Sequence, residues 1–122
     1  MASLSFQVEA HLISKGKSAE EAGTITADES QVKLQNDGSG DYIKTWNVSG
    51  ITKPTDSELT AADTEGAKLQ NNYTVRRKRR SEYGLIGDQL DLLYKDLVAG
   101  KVDATGEWAK AVKKVKDDNP LS

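Results

Sequence analysis

The sequence predicts an α+β fold: a small antiparallel β part at the amino-terminal end, then a polar helix, then a carboxyl-terminal helical hairpin. Three stretches carry that expectation. "LSFQVEAHLI" alternates apolar and polar side chains, "NDGSG" marks a tight turn, and Ile86, Leu90, Leu93 and Leu97 recur at intervals of 4, 3 and 4. Period two belongs to a half-buried strand, whereas the longer period belongs to a helix packed along a seam. The organisation expected is therefore an antiparallel β region over 1–53, a polar linking helix with a basic run over 54–83, and a helical hairpin module over 84–122.

In the first stretch Leu4, Phe6, Val8, Ala10 and Leu12 share one face of a strand, with Ser5, Gln7, Glu9 and His11 on the other. "SKGKSAEEAG" breaks the alternation and reads as a loop with at most one helical turn. "TITADESQVKLQNDGSGDYIKTWNVSG" reads as a second β region. Val32 and Leu34 lead into the turn, and Tyr42, Trp46 and Val48 return on the far side with Ile43 pointing the other way. A sheet of three or four strands results.

Pro54 marks a change of character. "PTDSEL" supplies a helix start, with Thr55 as N-cap, Glu58 completing a capping box and Asp56 suiting the helix dipole. The stripe that follows, Leu59, Ala62, Leu69 and Tyr73, is thin and interrupted by Gly66. The second helix is better written: its 4-3-4 seam is widened by Tyr94 and ended by Gly100, placed like a C′ residue. A third helix, starting near Asp103 or Thr105, sets Trp108, Ala111, Val112 and Val115 on one side and ends before Pro120. The two seams are expected to pack on each other.

The composition bounds the function. The chain has 122 residues, 36% hydrophobic and 30% charged, with two Trp, four Tyr and one Phe. So lean a core suits an oligomer or a subunit of a larger assembly. No cysteine is present, so disulfides and thiolate metal sites are excluded. The start of the sequence lacks the pattern of a signal peptide, and no apolar run approaches the ~20 residues that span a bilayer, so no membrane association is expected. A lone His11 on a polar strand face reads as a surface residue and cannot anchor a zinc or histidine-based catalytic site. "DESQ", "DGSGD" and "GDQLD" lack the ligand alternation of a calcium loop, and the "NVS" at 47–49 is read as a chance glycosylation pattern. No catalytic residues, cofactor or metal are expected, and the protein is not expected to be an enzyme.

"RRKRR", residues 76–80, is the one strong charge cluster in a chain of formal charge −2. Five successive helical residues spread around the circumference, and acids at Glu82, Asp88, Asp91 and Asp96 lie close in sequence to pair with them. The run is expected to serve as a charged helix end that steers the hairpin onto an acidic protein surface. Nucleic acid is not expected to be the partner; any DNA binding should be weak and lost as salt rises.

Residues 80–120, "RSEYGLIGDQLDLLYKDLVAGKVDATGEWAKAVKKVKDDNP", resemble a carboxyl-terminal module of tail-associated proteins of tailed bacteriophages. The likeness lies in the core Y-x-x-I-G-D-Q-L-D-x-L-Y, followed by W-x-x-x-[IV]-x-x-[IV]-K and a closing Pro. The positions concerned are Tyr83, Ile86, Gly87, Asp88, Gln89, Leu90, Asp91, Leu93, Tyr94, Trp108, Val112, Val115, Lys116 and Pro120. Gly84 departs from it, since the module often carries Pro there. "DYIKTWNVSGITKPTDSEL" is more loosely similar to a stretch of tail-fibre assembly chaperones. The resemblance implies a structural component of a phage tail or tail fibre, made in the host cytoplasm and carried in the virion. Its partners would be phage tail or fibre proteins, with homo-oligomerisation expected. The alternative is a tail-fibre assembly chaperone not retained in the virion. Partner binding would fall to Ile86, Asp88, Gln89, Leu90, Asp91, Leu93, Tyr94 and Trp108, with Arg76, Arg77 and Arg80 beside them.

Overall fold

A computed structural model describes residues 1–122. The elements in chain order are α1 (Leu4–Ser14), α2 (Ala19–Ala27), β1 (Val32–Asn36), β2 (Asp41–Trp46), α3 (Asp56–Ala61), α4 (Asp63–Glu82), α5 (Ile86–Val98) and α6 (Glu107–Asp118). The fold class is mixed, with one small antiparallel sheet followed by helices, as the sequence leads one to expect. The chain divides within α4 into two compact units, 1–70 and 71–122.

In the first unit the segment expected to be a strand is instead helix α1. Leu4, Val8 and Leu12 fit both periods, because every fourth residue also lies on one strand face. The helical period is completed by Gln7 and His11, which are polar and yet buried beside Val8, Ala10 and Leu12. Gln7 tolerates burial because its Nε2 donates to Asp63 Oδ1 at 2.9 Å, and the same oxygen accepts from the Ala2 N–H at 2.8 Å. These hydrogen bonds, that from Gln7 foremost, hold the Asp63 carboxyl below the ordinary range. His11 is thus a core residue rather than a surface one, and burial lowers its pKa.

Residues 19–27 form α2, where a loop and the start of a β region were expected. The helix begins on a capping box: Ser18 Oγ accepts from the Glu21 N–H at 3.1 Å, and Glu21 Oε1 accepts from the Ser18 N–H at 3.3 Å. With the first expected strand helical and α2 taking the start of the second β region, the sheet has two strands, not three or four. Its turn lies where "NDGSG" placed it, with Gly38 and Gly40 at φ of 106° and 110°. The register pairs Val32 with Trp46, Leu34 with Ile43 and Asn36 with Asp41, and slips between Lys33 and Leu34. That bulge turns Ile43 to the core, while Tyr42 stays outside and donates to Asp37 Oδ2 at 2.5 Å.

Val8, Leu12, Ala22, Ile25, Val32, Ile43, Val48 and Leu59 make the core of this unit. Trp46 lies against it, its Nε1 donating to the Ile51 carbonyl at 2.8 Å. The Thr55–Glu58 capping box is present as expected, but the helix it opens is short: α3 ends at Ala61 and α4 begins at Asp63. Gly66 does not interrupt a stripe. It is buried where α4 crosses α1, and a Cβ there would stand 3.1 Å from Gln7 N and from the Phe6 carbonyl carbon and oxygen. Replacing Gly66 with Ala should therefore destabilise this unit by about 1–3 kcal/mol despite alanine's better helix propensity. Urea denaturation followed by circular dichroism checks it; a gain in stability would show that the crossing relaxes freely.

The second unit holds the end of α4, then α5 and α6. Arg79 Nε donates to the Asn119 carbonyl at 2.7 Å and its Nη2 to the Lys116 carbonyl at 3.4 Å, closing the carboxyl end of α6. Asn119 is buried, with its Nδ2 donating to the Val115 carbonyl at 2.9 Å and also to Glu82 Oε2. Between α4 and α5 Gly84 has φ of 78°, which proline, fixed near −65°, cannot adopt. The entry to α5 is a glycine turn, latched by Gln89 Nε2 on the Gly84 carbonyl at 3.3 Å.

Candidate functional site

Helix α5 has two apolar arcs, and α6 covers only one of them. The covered arc comprises Gln89, Leu92, Leu93 and Asp96, beside Trp108, Val112 and Val115 of α6. A helical hairpin is present, but its interface is not the expected seam. Ile86, Leu90 and Leu97, placed by sequence against Trp108, Val112 and Val115, are 76%, 59% and 61% exposed. Of the expected seam only Leu93 is half-buried, and Leu92, outside it, takes the inward position.

Asp96 decides which arc is covered. Its two carboxylate oxygens accept from the Glu107 N–H at 2.9 Å and the Trp108 N–H at 2.8 Å, so α5 supplies the cap that Gly106, the local N-cap residue, lacks. The carboxylate is buried, and it also meets the positive end of the α6 dipole. The end of α5 is closed as "AGK" suggests: Gly100 at φ of 73°, its N–H on the Leu97 carbonyl at 3.2 Å and the Lys101 N–H on the Asp96 carbonyl at 2.8 Å. Helix α6 begins at Glu107, later than expected, because Asp103 Oδ1 accepts from the Thr105 N–H and hydroxyl in the loop. Sequence reading counted Asp96 as an acid available to the basic run. An uncapped glycine before "EWAK" was the available signal that a capping group had to come from elsewhere. Asp96→Asn leaves one of the two donors facing an N–H₂ group, and should cost about 1.5–3 kcal/mol in denaturant unfolding; a loss near zero would mean water caps the helix equally well.

The remaining expected partner-binding residues are distributed as follows. Asp88 is exposed, Gln89 serves the turn before α5, and Asp91 pairs with Lys95 at 3.1 Å. Trp108 is half-buried between α5 and α6, so it acts as packing more than as an anchor. Tyr94 is 66% exposed and joins Ile86, Leu90, Leu97 and Val98 in one continuous apolar stripe along the outer side of α5. Single exposed apolar residues are ordinary, but a run of this length on one helix is not.

The basic run also departs from expectation. No carboxylate lies within ion-pair distance of Arg76, Arg77, Lys78 or Arg80. Of the four acids nearby in sequence, Glu82 receives Asn119, Asp91 holds Lys95 and Asp96 caps α6, while Asp88 is exposed and pairs with none of the run. Arg79 is structural. The helical period sets Arg76, Arg77 and Arg80 on one side of α4 with Tyr73, and the Arg77 guanidinium lies 5.7 Å from the Tyr73 ring centre. The second unit thus offers two surfaces: an apolar one on α5 and a cationic one on α4.

Across the chain no three His, Asp or Glu side chains converge so as to hold a metal ion, and no helix is long and apolar enough to cross a membrane. No family model matches the sequence, and neither the curated proteins nor the solved structures provide a match.

Proposed function

We propose that this protein is a structural component of a bacteriophage tail or tail fibre, which docks to its partners through the carboxyl-terminal helical module. The observation that carries the proposal is the uncovered stripe of Ile86, Leu90, Tyr94, Leu97 and Val98, on an element held in place by the Asp96 cap and the Arg79 closure. A rigid helix face with a large apolar area loses little entropy on docking, which suits a permanent place in an assembly. The phage setting rests on the resemblance of residues 80–120. Three of its matched positions, Ile86, Leu90 and Tyr94, lie on the uncovered stripe rather than inside the hairpin.

Arg76, Arg77 and Arg80 complement this reading. Cations that no carboxylate of the chain pairs raise the encounter rate with an acidic protein surface, an effect screened beyond about 8–10 Å at physiological salt. The reading assigns the chain no reaction and no cofactor. Quantitative mass spectrometry of purified particles, from a phage engineered to encode the chain with a tag, tests it. A fixed copy number per particle supports the structural role. Efficient expression with absence from the particle would assign the chain to assembly instead, as a tail-fibre chaperone.

A further inference from the structure

We infer that the uncovered face of α5 pairs with the same face of a second copy of this chain, the two helices running antiparallel about a two-fold axis level with residue 92. The inference rests on the docking role proposed above and names the partner that the α5 face fits.

The pattern of side chains carries it. Apolar residues stand at 86, 90, 94 and 98, a set that maps onto itself when the helix is reversed about residue 92. Ile86 of one copy then lies level with Val98 of the other, and Leu90 with Tyr94. Val98, on the same flank, falls beside Gly87 of the other copy, where a Cβ would find no atom within 4 Å, so a branched side chain meets an open place. A parallel pairing would instead set Gly87 level with Gly87, leaving that end of the stripe unfilled. An isologous two-fold contact needs a surface that complements itself under reversal, and this one does.

Charge favours the same arrangement. Asp91 and Lys95 flank the stripe on one side, and reversal about residue 92 brings Asp91 of each copy within a helical turn of Lys95 of the other. Ile86, Leu90, Tyr94, Leu97 and Val98, at 59–76% exposure, expose on the order of 700 Å² per copy, and covering most of it gives an interface at the small end of the range, as suits a reversible dimer.

The test uses the full chain. Sedimentation equilibrium should show a reversible dimer below about 100 µM, and Leu90→Glu should weaken it at least about tenfold, the equivalent of ~1.4 kcal/mol. Leu90 is exposed in the single chain, so the variant's far-ultraviolet circular dichroism should be unchanged. The sequence has no cysteine, so introduced ones report orientation cleanly. An oxidised mixture of Leu90→Cys and Tyr94→Cys chains should give mainly the mixed disulfide, whereas a parallel pair would give the two symmetric ones. A monomer throughout the concentration range overturns the inference, as does a dimer indifferent to Leu90→Glu or a predominance of symmetric disulfides. Failure of the tail role is a separate outcome: a dimer of this description formed by a chain that particles lack would refute that role alone. A monomer that binds particle proteins through Leu90 would refute only the self-pairing.

Discussion

Gly106→Ala should destabilise the second unit by about 3 kcal/mol or more, the largest effect expected of any single methyl group in the chain. The backbone is not the reason, since φ of −71° and ψ of 155° suit any residue. Space is. A Cβ at position 106 would stand 2.3 Å from the Lys101 carbonyl oxygen and 2.6 Å from Asp96 Oδ2. The first of these atoms is backbone held by the turn at Gly100, and the second is the carboxylate that caps α6. Either the loop opens or Asp96 withdraws, and withdrawal forfeits two charge-assisted hydrogen bonds. Trp108 sits next to the affected N–H group, so its fluorescence reports the change; Trp46→Phe removes the other indole. A denaturant midpoint equal to that of the parent would show that the α5–α6 loop is soft. A double variant with Asp96→Ala should lose much less than the sum of the two, because both act on one capping contact.

Leu12→Ala should cost about 2.5–5 kcal/mol in the first unit. Leu12 is fully buried, as are Val8 and Val32, in a core of eight side chains drawn from three helices, two strands and the loop after β2. α1 contacts both α2 and α3, so the vacated volume is walled by separate elements that cannot all collapse into it. A domain of this size melts roughly 4–8 °C lower per kcal/mol lost, which puts the expected drop above 10 °C. Calorimetry or the fluorescence of Trp46, with Trp108→Phe in the background, checks it. A drop of only a degree or two would mean that α1 packs loosely and that the core is centred elsewhere. Leu90→Ala is the matching control, since its side chain faces outward and should leave the monomer's stability almost unchanged.

Local signals were legible in the sequence where a few adjacent residues settle the conformation. The glycine-rich turn at 36–40, the Thr55 capping box and the Gly100 helix end each depend on backbone chemistry within one turn of chain. Ser18 and Glu21 carry the same capping spacing as Thr55 and Glu58, so α2 was legible too, though two glycines and a run of small residues around it obscured the apolar period. α1 was ambiguous in a deeper way. Its apolar residues satisfy two periods at once, and the residues that settle the matter, Gln7 and His11, are polar side chains whose burial depends on distant Asp63 and on packing. The seam on α5 was legible as an apolar stripe, but its destination was not. Two arcs of one helix compete for one neighbour, and the winner is fixed by Asp96, a carboxylate that composition alone assigns to solvent. For the same reason the cations at 76–80 could not be matched to acids from spacing, because Asp91 is committed to Lys95 and Asp96 to the α6 cap.

The order in which the chain leaves the ribosome gives the closure of α6 by Arg79 a temporal meaning. Ala2 and Ser3 find their partners, Asp63 and Gln70, once about the first 70 residues exist, so the first unit has all its long-range ties early. Arg79 has to wait for Lys116 and Asn119, 37 and 40 positions later, and synthesis at about 5–20 residues per second makes that a delay of roughly 2–8 s. Until then the guanidinium and the α6-facing arc of α5 lack the groups that satisfy them, so the second unit closes only after the first is complete.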